Sequence, residues 1–539
     1  MKHFLKALTL TLLAGVFLVT GCSRETQTST SVPSANSSTQ TTAAAPEVEY
    51  KDELHIAVPQ EAPSLDLHKN SSSIARELGR GTIWEQLVTL NGNSEVVPEL
   101  ADHYEVSDDG KTYTFYLREG VLFHDGTEMT ADDVVASMNR WINGFSTAKK
   151  QVGDSRFEKI DDYTVSITLE TASLLFTSLI AGATQPAGIM PASVCADEDT
   201  KGFVKEYIGT GPYKFVEWKL NDSIELEKFD DYVPYGDPEQ PLDGWSGYKH
   251  AYLQKIFLHS VQESTTRVAG LQTGQYDVEF GVDDQAYATI SNIPNLDLLK
   301  YKSAEVALVF NKKEGLATDV NVRKAIRSLV NAEDMMVAHS GTDMYALSSS
   351  YMNEGQAFWI SEVGDDYYNL NDPELAKQYF DAAGYDYETP FRILAATINN
   401  FDRIALVLQQ ELEDIGVPTE LTLVDWPTLT QFRADPTKYD VFVTSFGNVP
   451  IPTLKLYLGA TWPGWSDDPT LQELMLAIGT AKTMEEAKVA WDKAQLYCWE
   501  DYVPVIVLGT QYTGYGLNEK VEGAQLFNGL FYWNVKVQK

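Results

Sequence analysis

Helix-forming and strand-forming patterns alternate along this chain, and that alternation restricts the fold more than any other feature. A short apolar-rich run stopped by Pro59 predicts a strand at 53–58, and alternating apolar residues predict strands at 113–117 and 164–169. Thr130 and Asp133 have the spacing of a capping box, so a helix is expected to begin there, between the second and third strands. Interleaved helices and strands predict an α/β fold, in which helices cover a sheet.

The same alternation continues in the second half of the chain. Asp372 followed by proline predicts the start of a helix, and Gly384 predicts its end. An apolar stripe over 404–415 predicts a second helix, and a strand is expected at 421–424. No internal repeat accompanies these patterns.

Length and charge narrow the class of protein. A chain of 539 residues is too long for one small core, so two or three lobes are expected. Its 41 basic and 77 acidic residues give a formal net charge of −36. That charge repels phosphate backbones and anionic headgroups, which excludes nucleic acid as a partner.

The N-terminus has the pattern of a lipoprotein export signal. Lys2 and Lys6 precede an uncharged, Leu-rich run over 7–21, which is shorter than the roughly 20 residues that span a bilayer. The run ends in Val-Thr-Gly-Cys, a bacterial lipobox, so Cys22 is predicted to become the acylated N-terminus. Residues 1–21 are therefore interpreted as a cleaved signal peptide.

The segment after Cys22 is predicted to be a tether. Residues 23–49 contain no aromatic residue and consist mainly of Ser, Thr, Gln, Ala and Pro, so they cannot bury enough apolar surface to offset the entropy of ordering. Residues 22–48 are expected to link a lipid anchor to a folded body on the extracytoplasmic face of a bacterial cell membrane. Contact with the membrane is expected through the anchor alone.

Enzyme motifs are missing from the sequence. It contains no Gly-x-Ser-x-Gly, no His-Glu-x-x-His and no Walker loop, and its histidines are too scattered to suggest a metal site. We therefore predict no enzyme activity, no metal and no cofactor. A disulfide between Cys195 and Cys498 is the alternative to two separate thiols, which is the interpretation that we prefer. A secreted hydrolase and a purely structural lipoprotein remain as alternatives without positive support.

Seven segments together resemble one protein family. The chain is similar to the family 5 extracellular solute-binding proteins of ABC importers, which bind oligopeptides and dipeptides. The similar segments occur in the family's order and cover nearly the whole chain after the tether. They are 101–135, 162–165, 209–213, Leu271 with Gly274 and Asp277, 322–325, 383–385 and 415–417.

This resemblance implies a fold and a mechanism. The fold would be a type II periplasmic-binding-protein-like fold, with two lobes joined by a hinge and an extra inserted domain. By similarity, lobe I would comprise 49–90, 209–300 and 504–539, the inserted domain 91–208, and lobe II 301–503. A monomer would capture a peptide or related small solute in the interlobe cleft, close on it and deliver it to permease subunits. The ATPase would be a separate subunit.

One segment departs from the peptide-binding pattern. In peptide binders of this family, a strand beginning Tyr-Asp leads to a tryptophan and then to an aspartate that pairs with the ligand's α-ammonium group. Here Phe446 occupies the aromatic position, and Val449 stands where the acid is expected. A buried cation without an anionic partner costs several kcal/mol, so recognition of a free peptide N-terminus is in doubt.

The remaining candidate ligand contacts lie near that segment or in lobe I. Gly447 and Asn448 follow the aromatic position, and Asn448 offers a neutral hydrogen bond. Three tryptophans could stack on a sugar or an aromatic side chain, and an acid from lobe I, Glu61 or Asp66, could replace the missing aspartate. The ligand is accordingly a peptide or, alternatively, an oligosaccharide or other non-peptide solute. The tryptophans are Trp426, Trp462 and Trp465.

Overall fold

The computed structural model describes residues 48–70, 72–182 and 184–539, in which strands and helices alternate. The strands are β1 Glu53–Val58, β2 Val88–Leu90, β3 Val96–Pro98, β4 Ala101–Val106, β5 Thr112–Leu117, β6 Phe157–Asp161, β7 Thr164–Thr168, β8 Tyr213–Lys219, β9 Ser223–Lys228, β10 Lys255–Ser260, β11 Val278–Val282, β12 Leu296–Phe310, β13 Tyr345–Ala346, β14 Phe391–Ala396, β15 Thr419–Val424, β16 Val441–Gly447, β17 Val505–Asn518, β18 Val521–Glu522 and β19 Lys536–Val537.

The helices lie between these strands and vary from one turn to four. They are α1 Ser73–Gly79, α2 Ala131–Gly144, α3 Ser146–Val152, α4 Phe176–Ile180, α5 Ala192–Ala196, α6 Ser264–Thr273, α7 Asp284–Ile290, α8 Val320–Leu329, α9 Ala332–Ser340, α10 Pro373–Ala382, α11 Phe401–Asp414, α12 Trp426–Phe432, α13 Pro469–Gly479 and α14 Met484–Tyr497.

One mixed sheet organises residues 49–539, which form a single compact unit. Its strand order is β15-β14-β16-β12-β17-β11-β1-β10-β9-β8, with β13 beside β17. The two long strands at its centre, β12 and β17, pair antiparallel almost from end to end. They carry β16, β14 and β15 on one side and β11, β1, β10, β9 and β8 on the other.

The pairing of β12 changes partway along the strand. This strand pairs with β17 from Leu296 to Val309, and from Ala304 onwards it also pairs with β16 on its other side. Between Lys302 and Ala304 the register with β17 shifts by one residue, which is a β-bulge. A bulge bends a strand and increases its twist, and a second register shift follows between Val306 and Ala307, so the central strand pair is irregular over this stretch.

A smaller antiparallel sheet, ordered β4-β5-β7-β6, packs beneath α2. The capping box predicted for α2 is present: the backbone N–H of Thr130 donates to the Asp133 carboxylate at 2.9 Å. The apolar face of this helix is buried as its spacing predicts. The residues on that face are Val134, Met138, Trp141 and Ile142.

The other predicted elements also form. The strand expected at 53–58 is β1, the helix after Asp372 is α10 with that aspartate as its N-cap, and the stripe over 404–415 lies on α11. The α/β fold class is confirmed. Cys195 and Cys498 are both free thiols. The predicted signal peptide, Cys22 and nearly all of the tether lie outside the described residues, and none of the described helices has the length and apolar character needed to span a bilayer.

Candidate functional site

Strand β16 ends at the position where the sequence placed the ligand-recognising segment. Phe446 lies opposite Glu305 of β12. Its ring packs edge-on against Tyr457 and at a tilt against Trp462, with ring centroids 4.8 Å and 5.4 Å away. Gly447, the last residue of the strand, is exposed and has open space where a side chain would stand. The chain therefore leaves the sheet beside the aromatic cluster of Phe446, Tyr457 and Trp462, and the space around Gly447 is open.

Asn448 joins four segments that are distant in sequence. Its side-chain amide donates to the Lys302 carbonyl oxygen at 2.9 Å and to the Asn528 side-chain oxygen at 3.0 Å. Its side-chain oxygen accepts from Asn353, and its backbone carbonyl accepts from the Thr184 hydroxyl at 2.7 Å. These bonds fix the end of β16 against the bulge of β12, against residues of the 145–185 segment and against the C-terminal loop.

A buried ion pair lies below this turn. The Lys455 ammonium is 2.6 Å from the Glu305 carboxylate, and both side chains are almost completely buried. Burial raises the pKa of Glu305, and the attraction of Lys455 opposes that rise. Lys455 therefore neutralises the buried Glu305 carboxylate and is not free to pair with a ligand.

A small cavity of about 170 Å³ opens beside Val449. Phe145 and Leu179 form one wall, and Val449 with Leu454 forms the other. The side chains around it are mainly apolar, and the polar ones are neutral. Its lining consists of Phe145, Thr147, Leu179, Gly182, Thr184, Gln185, Val449, Pro450, Leu454 and Leu456.

A larger cavity of about 670 Å³ shares Thr147, Leu454 and Leu456 with the small one. Residues of α3 form one side, and the segment from Thr453 to Leu476 forms the other. Leu456 and Leu476 are large apolar side chains that remain exposed. Its lining consists of Thr147, Lys150, Gln151, Thr453, Leu454, Lys455, Leu456, Leu458, Gly459, Thr461, Trp462, Pro463, Gln472, Met475 and Leu476.

Neither cavity is lined by an aspartate or a glutamate among the described side chains. This is notable in a chain with 77 acidic residues. The charged groups that line the larger cavity are two lysines, of which Lys455 is paired with Glu305 and Lys150 is exposed. The arrangement suits apolar groups and neutral or anionic polar groups, whereas a cation would have no partner in the walls.

Two of the predicted tryptophans are linked by an arginine. The Arg433 guanidinium lies 5.8 Å from the ring centroid of Trp426 and 5.3 Å from that of Trp462. Burial lowers the pKa of Arg433. Trp462 lines the larger cavity directly, whereas Trp426 packs against Phe401 outside both cavity walls.

The remaining predicted contacts lie elsewhere. Trp465 stacks against Tyr439 at the opposite end of β16, with the Lys313 ammonium 5.1 Å from its ring centroid. Glu61 accepts a hydrogen bond from the backbone of Asn221, at the β8–β9 turn on the far edge of the sheet. The structure therefore brings together Phe446, Gly447, Asn448 and Trp462, but it places Trp465 and Glu61 apart from them.

Asp66 is also committed to the protein itself. It is fully buried and accepts both ends of the Arg140 guanidinium, at 2.9 Å and 2.7 Å. The side-chain hydrogen bond from Arg140 lowers the pKa of Asp66 against the opposing effect of burial. A carboxylate held in this way is not free to receive a ligand ammonium group.

Sequence reasoning missed one wall of the site entirely. Thr147, Lys150 and Gln151 line the larger cavity from α3, about 300 residues before the opposite wall. No local pattern in α3 distinguishes these positions from other surface residues. On the opposite wall, Leu454 and Leu456 precede Trp462 in the sequence. Their apolar character near a predicted ligand contact is the signal that could have assigned them to the cavity.

Comparison with known proteins identifies the family. The family model described as bacterial extracellular solute-binding proteins, family 5 middle, matches residues 95–465. A probable peptide ABC transporter periplasmic-binding protein of Sinorhizobium fredii is 29% identical over 462 residues, which cover 79% of this chain and 83% of that protein.

Solved structures agree on the fold. The ABC transporter substrate-binding protein CtaP of Listeria monocytogenes superposes with a TM-score of 0.76 at 21% identity, over 90% of this chain and 99% of that chain. The binding protein AgaA of A. tumefaciens, solved with agropinic acid, gives 0.72 at 24% identity over the same shares. The predicted type II binding-protein fold is thereby confirmed. The chain belongs to family 5 of the bacterial extracellular solute-binding proteins, the substrate-binding proteins of ABC importers.

Proposed function

We propose that this protein captures a small solute without a free ammonium group in the two cavities between segments 145–185 and 449–476. The observation that carries the proposal is the lack of any acidic side chain in the described walls of both cavities. A buried ammonium group without a counter-charge costs several kcal/mol, whereas apolar and neutral polar groups incur no such cost. The free N-terminus of an unmodified peptide is therefore a poor ligand group here.

A blocked or cyclic peptide is the leading ligand class. The S. fredii relative is named as a peptide-transport protein, and the combined cavities are large enough for several residues. A neutral oligosaccharide is the second candidate, because Trp462 offers an aromatic face within the larger cavity. A secreted hydrolase has no support from the family comparison.

The lobes are proposed to be those expected from the sequence. Residues 49–90, 209–300 and 504–539 would form lobe I, residues 91–208 the inserted domain, and residues 301–503 lobe II. The start of pairing between β12 and β16 at Ala304 and the bulge near Ser303 support a hinge at that boundary. In this division Asn448 bonds to all three parts, so its hydrogen bonds to Asn528 and Thr184 would form only when the lobes are closed.

The proposed working position is the outer face of the cell membrane. Cys22 would carry the lipid anchor, and residues 22–48 would tether a monomeric body near the permease. The lipobox and the Ser- and Thr-rich composition support this arrangement. Capture, closure and release to the permease would need no cofactor.

Isothermal titration with matched peptides tests the proposed ligand class. Tri- to pentapeptides with a free N-terminus are compared with their N-acetylated forms, which differ at that group alone. We expect acetylation to strengthen binding by about tenfold or more, because it removes the unpaired charge. Tight binding of free peptides that is lost on acetylation would contradict the proposal.

A further inference from the structure

Two arginines near the end of α1, Arg76 within the helix and Arg80 as its C-cap residue, have no carboxylate partner. Arg76 and Arg80 are one helical turn apart, so their side chains leave the same side of the helix. The Arg80 side chain lies flat over Trp245, with its guanidinium carbon 3.3 Å from the ring centroid, and the residue is only 6% exposed. Arg76 is half-buried and can be reached from solvent.

Neither guanidinium is satisfied by the protein. The Nε atoms of Arg76 and Arg80 are buried, and neither has a hydrogen-bond partner among the described residues. No carboxylate of the described residues lies within ion-pair distance of either side chain, whereas two other buried arginines are paired with carboxylates and the buried Arg323 and Arg327 donate to backbone carbonyl oxygens. The paired arginines are Arg140 with Asp66 and Arg267 with Glu279.

The acid nearest in sequence, Glu77, attracts both arginines but forms no ion pair with either of them. One oxygen of Glu77 accepts the Tyr515 hydroxyl at 2.6 Å, and the other has no partner. Burial raises the pKa of Glu77 to about 7, and burial together with Arg76 lowers the pKa of Arg80 to about 9. The cluster thus has an excess of positive charge in a chain whose net charge is strongly negative.

The cluster adjoins the candidate site through the C-terminal loop. Trp245 donates to the Phe527 carbonyl oxygen at 2.8 Å, and a side chain at Gly529 would come within 3.2 Å of Glu77. Between those two residues, Asn528 accepts the hydrogen bond from Asn448. The arginines therefore lie across one short loop from the end of β16.

We propose that Arg76 and Arg80 form a subsite for a carboxylate of the captured solute, an inference that rests on the proposed function. A guanidinium presents two parallel N–H groups that match the two oxygens of a carboxylate. Such a ligand group would satisfy the donors that the protein leaves unpaired. The solute would then carry an acid and no free amine.

Titration of the full-length protein with succinate tests the subsite without requiring the natural solute. Ionic strength is held constant with sodium chloride, and tryptophan fluorescence reports binding because Arg80 covers Trp245. We expect a saturable response that Arg76→Gln weakens by about tenfold or more, because charge-assisted hydrogen bonds are lost. Arg76→Lys keeps the charge and should retain part of the response.

The matched control is Arg403→Gln, which removes an exposed arginine of α11 and should leave the succinate response unchanged. The Arg76 side chain donates no hydrogen bond to the described residues, so its replacement should not impair folding, and the circular dichroism spectrum checks this. Equal succinate responses in the wild type and Arg76→Gln, or a response to inorganic phosphate alone, would overturn the inference. Succinate contains no peptide group, so a failure of the peptide proposal leaves this result interpretable.

Discussion

Replacement of Lys455 by methionine is expected to lower the free energy of unfolding by about 3–5 kcal/mol. The substitution keeps the volume and the apolar stem but leaves Glu305 buried without a counter-charge. Because burial already raises the pKa of this carboxyl, its pKa should rise further once the ammonium group is gone. Chemical unfolding followed by circular dichroism measures the loss.

The sign of the pH dependence follows from that further rise. With its folded-state pKa above the unfolded value, Glu305 binds a proton more readily in the folded variant, so stability is present at low pH and lost as pH increases. The destabilisation of Lys455→Met should therefore be greater at about pH 8 than at about pH 5.

Two further variants separate this effect from general disruption. Adding Glu305→Gln should restore much of the stability, because the uncompensated charge is removed. Lys488→Met breaks a more exposed pair with Asp492 on α14 and should cost no more than about 1 kcal/mol. Equal losses in Lys455→Met and Lys488→Met would contradict the role assigned to the buried pair.

The second large effect is a gain of binding in Val449→Asp. This change places a carboxylate in the wall of the small cavity, where peptide-binding relatives are expected to have one. Affinity for a tripeptide with a free N-terminus should increase by about 100-fold or more, which corresponds to the approximately 3 kcal/mol that a buried ammonium gains from an anionic partner. Isothermal titration of the wild type and the variant measures the difference.

Val449→Asn is the matched control, because it has the same shape as the aspartate without its charge. The N-acetylated tripeptide should gain nothing from Val449→Asp and should bind more weakly, since the new carboxylate loses its hydration without acquiring a partner. An equal gain for free and acetylated peptides would show that Val449 does not face the ligand's N-terminal group.

Local patterns in the sequence predicted most of the elements that build the sheet. The capping box of Thr130 and Asp133, the proline after Asp372 and the alternation in β5 each act within a few residues of their own position. Such signals depend on local hydrogen bonding and on the periodicity of side chains, and both are determined by residues that are close together in the sequence. The sequence therefore predicted where helices begin and which faces are buried.

Contacts between distant segments could be predicted only in part. The motif around Phe446 and Asn448 located one wall, because the family resemblance covers it. The sequence did not distinguish the role of Trp462, which lines a cavity, from that of Trp465, which stacks on Tyr439. An aromatic residue is buried both in a core and in a binding cavity, so its presence in the sequence does not show which of the two it faces.

Acidic residues proved equally ambiguous. Glu61 and Asp66 lie close together in sequence, but one holds a hairpin turn and the other a buried arginine. Nothing in the sequence around them indicates these partners, because Asn221 and Arg140 are brought to them by tertiary packing. The excess of acidic residues likewise gives no hint that the described cavity walls have none.

Hydrogen exchange measured by mass spectrometry tests the central claim most directly. Protein isolated with its copurified solute is compared with protein freed of solute by unfolding and refolding. If the solute lies between the two walls, it should protect backbone amides in both α3 (Ser146–Val152) and the segment 453–463. Protection confined to other parts of the chain, with both walls unchanged, would contradict the account.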